Sequence, residues 1–96
     1  MAQAESINTV LGPLAPSALG FTLMHEHVLV AASGLYGSYP DLLGRDREAR
    51  AIAALARAKA AGVDTIVDAT TFDLGRHAPL LAEVSRGSGV NIVNAT

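Results

Sequence analysis

Apolar residues run in four short stretches of this chain and recur at helical spacing in two others. Ile7 to Leu11 reads as a strand closed by Gly12-Pro13, and Leu14 to Leu19 as a connector with Pro16-Ser17 as its turn signal. Gly20 opens a second strand, Phe21 to His27, whose spacing suits a small antiparallel pair with Ile7–Leu11. Ala31 to Gly44 carries Ser33, Gly34, Gly37, Ser38 and Pro40, a loop composition. Asp46 is placed to cap a helix reaching about Ala61. Its predicted inner stripe is Ala49, Ile52, Ala53, Leu55, Ala56 and Ala60, with Arg47, Arg50 and Arg57 opposite. Gly62 is the expected left-handed stop.

Val63 to Ala69, rich in β-branched residues, is the next strand, and Thr70 to Gly75 the next loop. A second helix is predicted over about Arg76 to Arg86, with Pro79 in its first turn and Leu80, Leu81 and Val84 facing inward. Gly87-Ser88-Gly89 ends it, and Val90 to Ala95 is the last strand. Strand, helix, strand, helix, strand in this order demands an α/β fold with parallel strands and right-handed crossovers.

Composition sharpens this picture. The chain has 96 residues, 50% of them hydrophobic and 17% charged, against roughly 25% charged in an ordinary domain. Mean hydropathy is +0.33. A domain this small has a high surface-to-volume ratio and should be rich in charge. The excess of apolar residues predicts faces that other structure covers. A net charge of −2 with two Phe, two Tyr and no Trp argues against nucleic acid as a partner. Without Cys there is neither a disulfide framework nor a thiolate zinc site. No apolar run approaches the roughly 18 residues of a membrane span, and the first residues do not read as a secretory signal. A reducing, cytoplasmic setting is the expectation.

The candidate chemistry lies at His25 and His27. Strand alternation puts these two imidazoles on one face, above Phe21 and Leu23, with Glu26, Thr22 and Met24 on the other. Two imidazoles at the C-terminal end of a strand can share a divalent metal, and nitrogen donors suit zinc. The competing reading is two histidines bonded to carbonyls or solvated at a strand end. Two ligands do not complete a catalytic site, which ordinarily has three. His77 is the remaining histidine and stands at a helix start. Asp68 ends its strand near the same rim, and its plainer role is to accept backbone N–H groups of the following loop. Asp73 and Arg76 suit a pair or cap at the loop–helix junction, and Tyr36 and Tyr39 are loop aromatics suited to pocket lining or plain packing. Glu26 is expensive to bury unpaired, so a structural hydrogen bond is expected for it.

Thr9-Val10-Leu11-Gly12-Pro13-Leu14, followed by Leu19-Gly20-Phe21-Thr22-Leu23-Met24-His25-Glu26-His27, resembles the N-terminal signature of the phosphotriesterase family in the amidohydrolase superfamily. The resemblance continues through Ala60–Asp68, Thr71–Arg76, Leu80–Arg86 and Asn91–Thr96, nearly the whole chain in order. It implies the N-terminal part of a (β/α)8 TIM barrel, here a hairpin plus β-α-β-α-β. It also implies a binuclear metal centre, usually zinc, that hydrolyses organophosphate triesters or lactones. His25 and His27 occupy the positions of the first-strand pair that binds the more buried metal. The family's other ligands are a bridging carboxylated lysine, two histidines and an aspartate, all on later strands. By the same resemblance, a metal-bridging hydroxide would attack phosphorus or carbonyl carbon, and the metals would lower the water's pKa, polarise the ester oxygen and hold the substrate.

The same resemblance places Leu74 and Tyr39 in the substrate pocket, and Val30 where a phosphotriesterase proper has a smaller residue. The run Thr71–Arg76 favours phosphotriesterase-like members over lactonases. A barrel of about 250 residues spends roughly 30 on each βα unit, so 96 residues hold about two and a half units. The expectation is an N-terminal fragment over 1–96, inactive by itself, with no catalytic residue assigned and the later ligands absent. Its partner in the full-length enzyme is a small-molecule ester, and homodimer formation or self-association is expected. A non-enzymatic module pairing through open sheet edges is the alternative, and a complete small metal-binding protein a third reading.

Overall fold

The computed structural model describes residues 5–29, 44, 46–70 and 76–94. Its first element is made by Thr9, whose Oγ1 accepts the Leu11 N–H at 3.2 Å and donates to the Gly12 carbonyl at 2.7 Å. Gly12 follows at φ +115, a conformation that a Cβ disfavours. β1 (Ile7–Thr9) and β2 (Gly12–Leu14) therefore close into an antiparallel hairpin, with Ile7 opposite Leu14 and Thr9 opposite Gly12. This corrects the expected pairing of Ile7–Leu11 with Phe21–His27. Gly12-Pro13 starts a strand instead of stopping one, because Pro13 lies in a two-stranded ribbon where its missing N–H breaks no wider ladder.

A 3₁₀ turn at Pro16–Ala18 leads to β3 (Thr22–Glu26). Then follow α1 (Arg47–Ala60), β4 (Thr65–Asp68), α2 (Ala78–Ser88) and β5 (Asn91–Asn94). The three later strands form a parallel sheet in the order β3-β4-β5, as the alternation of elements predicts. α1 ends in a Schellman motif. Val63 N–H bonds to Ala58 O, Gly62 N–H bonds to Lys59 O, and Gly62 stands at φ +112 as the expected stop. At its other end Asp46 makes no side-chain cap bond and instead pairs with Arg50 at 3.2 Å.

The inner stripe of α1 is not the alanine stripe of the sequence. Ala51 is buried and Ile52, Leu55 and Ala58 are half-buried, while Ala49, Ala53, Ala56 and Ala60 are exposed. Ile52 and Leu55, the large residues, set the face; alanine fits either side. α2 behaves as expected at Leu80, Leu81 and Val84, all buried. Gly87 and Ser88 extend the helix and only Gly89, at φ +77, ends it. The Ser88 hydroxyl holds that end by accepting the Val90 N–H at 3.2 Å.

Both helices lie on one face of the sheet, where Ala51, Leu80 and Val84 meet Ile66, Val90 and Ile92. At the foot of the opposite face, Thr65 Oγ1 donates to Leu19 O at 2.6 Å and accepts from Asn91 Nδ2 at 3.1 Å. The hairpin reaches β5 through Val10 N–H and Ile92 O, 2.9 Å apart. Asn91 N–H turns to Asp64 in the β4 direction. Parallel-strand alternation therefore sends the Ile92 carbonyl to the other edge, and the hairpin covers part of it. Among the described residues no helix is long and apolar enough to cross a membrane.

Candidate metal centre

The site is built by an irregularity in β3. Leu23 pairs with Ile66 and Glu26 with Asp68, so three steps along β3 match two along β4. Ile66 and Asp68 are two residues apart and share a face. Leu23 and Glu26 therefore share it too, and a bulge between them absorbs the extra residue. His25 and His27, which flank Glu26, are turned to the face opposite α1 and α2. Alternation predicts Leu23 beneath the histidines; the bulge separates them, and Leu23 packs against the helical core. The two rings do share a face, in a T-shaped contact with centroids 5.3 Å apart. Both residues are exposed.

His27 is anchored and its anchor is buried. Its Nδ1 lies 2.8 Å from Thr70 Oγ1, and Thr70 is only 1% exposed. Asp68, also 1% exposed, accepts Thr70 N–H at 2.8 Å and Val28 N–H at 3.2 Å. One carboxylate thus ties the end of β4 to the end of β3, and Ala69 N–H adds a bond to Glu26 O at 2.8 Å. This is the backbone-accepting role expected of Asp68, extended to a second loop. Thr70 itself escapes the sequence reading. The signal for it is its position two residues after a strand-ending aspartate, where an Asx turn fixes its backbone.

Glu26 departs from its expected structural bond. Its side chain is exposed, and no hydrogen bond of its carboxylate is found among the described residues. The predicted burial cost does not arise because water reaches this end of β3. His77 is the N-cap of α2, and its Nδ1 accepts Leu80 N–H at 3.2 Å. Beside it a small pocket of about 10 Å³ is lined by Leu29, Asp68, Arg76, His77, Leu80 and Leu81, with neither His25 nor His27 in its wall. Asn94 Oδ1, at the end of β5 and in register with Asp68, is buried without a hydrogen bond among the described residues. Leu74, Tyr39, Tyr36, Val30 and Asp73 lie outside the described residues. Among the described residues no three His, Asp or Glu side chains are grouped to hold a metal ion.

The sequence profile of the phosphotriesterase family matches residues 5–96. The chain belongs to the phosphotriesterase family. The phosphotriesterase homology protein of Mycobacterium tuberculosis is 47% identical over 92 residues, which are 94% of this chain and 28% of that protein. The aryldialkylphosphatase of Saccharolobus solfataricus is 39% identical over 79 residues, 81% of this chain and 25% of that one. The solved structure of the phosphotriesterase from Mycobacterium tuberculosis matches with a TM-score of 0.84 at 44% identity, covering 94% of this chain and 28% of its own. The chain thus spans less than a third of the length of these phosphotriesterase-family relatives. Its hairpin and β-α-β-α-β order are the N-terminal part of a (β/α)8 barrel.

Proposed function

We propose that this chain carries one part of the metal site of a hydrolase of organophosphate triesters or related esters and lactones. His25 and His27 are the ligands of one divalent cation, zinc by the preference of paired imidazoles. The observation that carries the reading is the pair itself. Two rings stand in contact on the face opposite α1 and α2, at the C-terminal end of a parallel strand, where barrel enzymes assemble their sites. The donor set fits a metal as a half-site of two nitrogens. A bound divalent metal supplies an acidified water and polarises the ester oxygen. His25 and His27 present lone pairs, and the buried Asp68 holds together the two strand ends that carry the site.

The names of the mycobacterial and Saccharolobus relatives support a phosphotriester as substrate. Leu74 and Tyr39, in the segments after β4 and β3, line the substrate pocket in this reading. With two imidazoles as its donors, the 96-residue chain turns over no ester without a partner chain. Calorimetric zinc titration of the wild type, His25→Ala, His27→Ala and the double variant tests the ligands. An aryl dialkyl phosphate and a lactone test the chemistry. The expected result is zinc affinity reduced roughly 10–100-fold or more in each variant, with no turnover by the 96-residue chain. Unchanged zinc affinity in the double variant overturns the ligand assignment, and robust turnover without a partner chain overturns the inactivity.

A further inference from the structure

We propose that Thr70 is a positioning residue that holds the His27 ring with its proton on Nδ1 and its lone pair on Nε2, with Asp68 as the brace behind it. The inference rests on the reading of His27 as a metal ligand and adds the residues that orient it. Nδ1 is engaged by Thr70 Oγ1 at 2.8 Å, so this nitrogen is closed to a metal. Only Nε2, across the ring from Thr70, is left to coordinate. A hydroxyl can give or take the shared proton. Coordination needs an unprotonated Nε2, which puts the proton on Nδ1 and makes Thr70 the acceptor. Metal-binding histidines are oriented in this way by their second nitrogen.

The burial of the clamp makes it rigid. Thr70 and Asp68 are each 1% exposed, whereas His27 is exposed. Asp68 grips Thr70 through its N–H and the neighbour of His27 through Val28 N–H. Both ends of the Nδ1···Oγ1 contact are thereby referred to one carboxylate. With the ring in place the Thr70 hydroxyl is shielded from solvent and His27 Nδ1 is its partner. The geometry is therefore set before any metal arrives.

Long-range ¹H–¹⁵N correlation spectra of the histidine-labelled chain at about pH 8, where imidazoles are neutral, read the tautomer without metal. The wild type is expected to show His27 mainly as the Nδ1–H form. Thr70→Val is expected to return it to the tautomer mixture of a free imidazole, and Thr70→Ser to restore the wild-type pattern. Titration with Zn²⁺ is then expected to shift Nε2 of His27, with affinity roughly 10–100-fold lower in Thr70→Val and recovered in Thr70→Ser. A free-imidazole mixture in the wild type, or a His27 tautomer unchanged in a Thr70→Val chain with native amide shifts, overturns the proposal. If the tautomer pattern holds and Zn²⁺ shifts no ring nitrogen, the metal reading fails and the clamp stands.

Discussion

Besides the Asn91 N–H bond to its carbonyl, Asp64 gathers three further bonds at the foot of the sheet. Its Oδ2 accepts Phe21 N–H at 3.0 Å, its Oδ1 takes Lys59 Nζ at 2.9 Å, and its own N–H bonds to Phe21 O at 3.0 Å. The hydrogen bond from Lys59, then that from Phe21 N–H, holds its carboxyl below the ordinary value of 3.8. The folded state therefore binds this proton less readily than the unfolded chain. The stability Asp64 contributes is full above the ordinary carboxylate range and is lost as pH falls through the depressed value. Asp64→Asn is expected to melt lower than the wild type near neutral pH, with the gap narrowing below about pH 4. Melting curves across that range check it, and a gap of constant size refutes it. Gly20 completes the arrangement at φ +63, where a Cβ would collide with the Asp64 carboxylate. The glycine is legible in the sequence as a strand opener. The carboxylate that requires it is not, because Asp64 lies 43 residues from Phe21.

At the scale of elements, α1 and α2 meet at Gly87. A Cβ there would stand 2.8 Å from Ile52 Cδ1 and 3.1 Å from both Cγ atoms. In an open helix, replacing glycine by alanine stabilises by about 0.5–1 kcal/mol. Here overpacking of about 1–3 kcal/mol opposes that gain, so Gly87→Ala is expected to destabilise. Urea denaturation reads the sign. Ile52→Ala should make room and return Gly87→Ala to stabilising, so a double-mutant cycle showing no coupling sinks the account. The sequence reads Gly87 as a helix stop, since glycine spacing does not reveal what packs against it. The bulge in β3 is equally hidden. Strict alternation links His25 to Leu23, and only the register against β4 shows the extra residue that parts them.

At the scale of the molecule, β4 is the central strand of the sheet among the described residues, and the hairpin meets that sheet through the Val10–Ile92 bond. Amide hydrogen exchange should accordingly be slowest in β4, around the buried Thr65, Ile66 and Asp68, and fastest in β1 and β2. Comparable protection in hairpin and sheet counts against this hierarchy. The sequence by itself determined the element order from β3 onward, the parallel sheet and the inward face of α2. It also determined the pairing of His25 with His27 on one side of a strand. These follow from periodicity and from glycine at helix ends, which act over a few residues. The alanine face of α1, the partner of β1 and the separation of Leu23 from the histidines waited on tertiary structure. So did the Asp68–Thr70–His27 clamp. Each is settled by a neighbour far along the chain. Alanine, threonine and a strand-ending aspartate accept several local roles, and long-range packing selects the one they play.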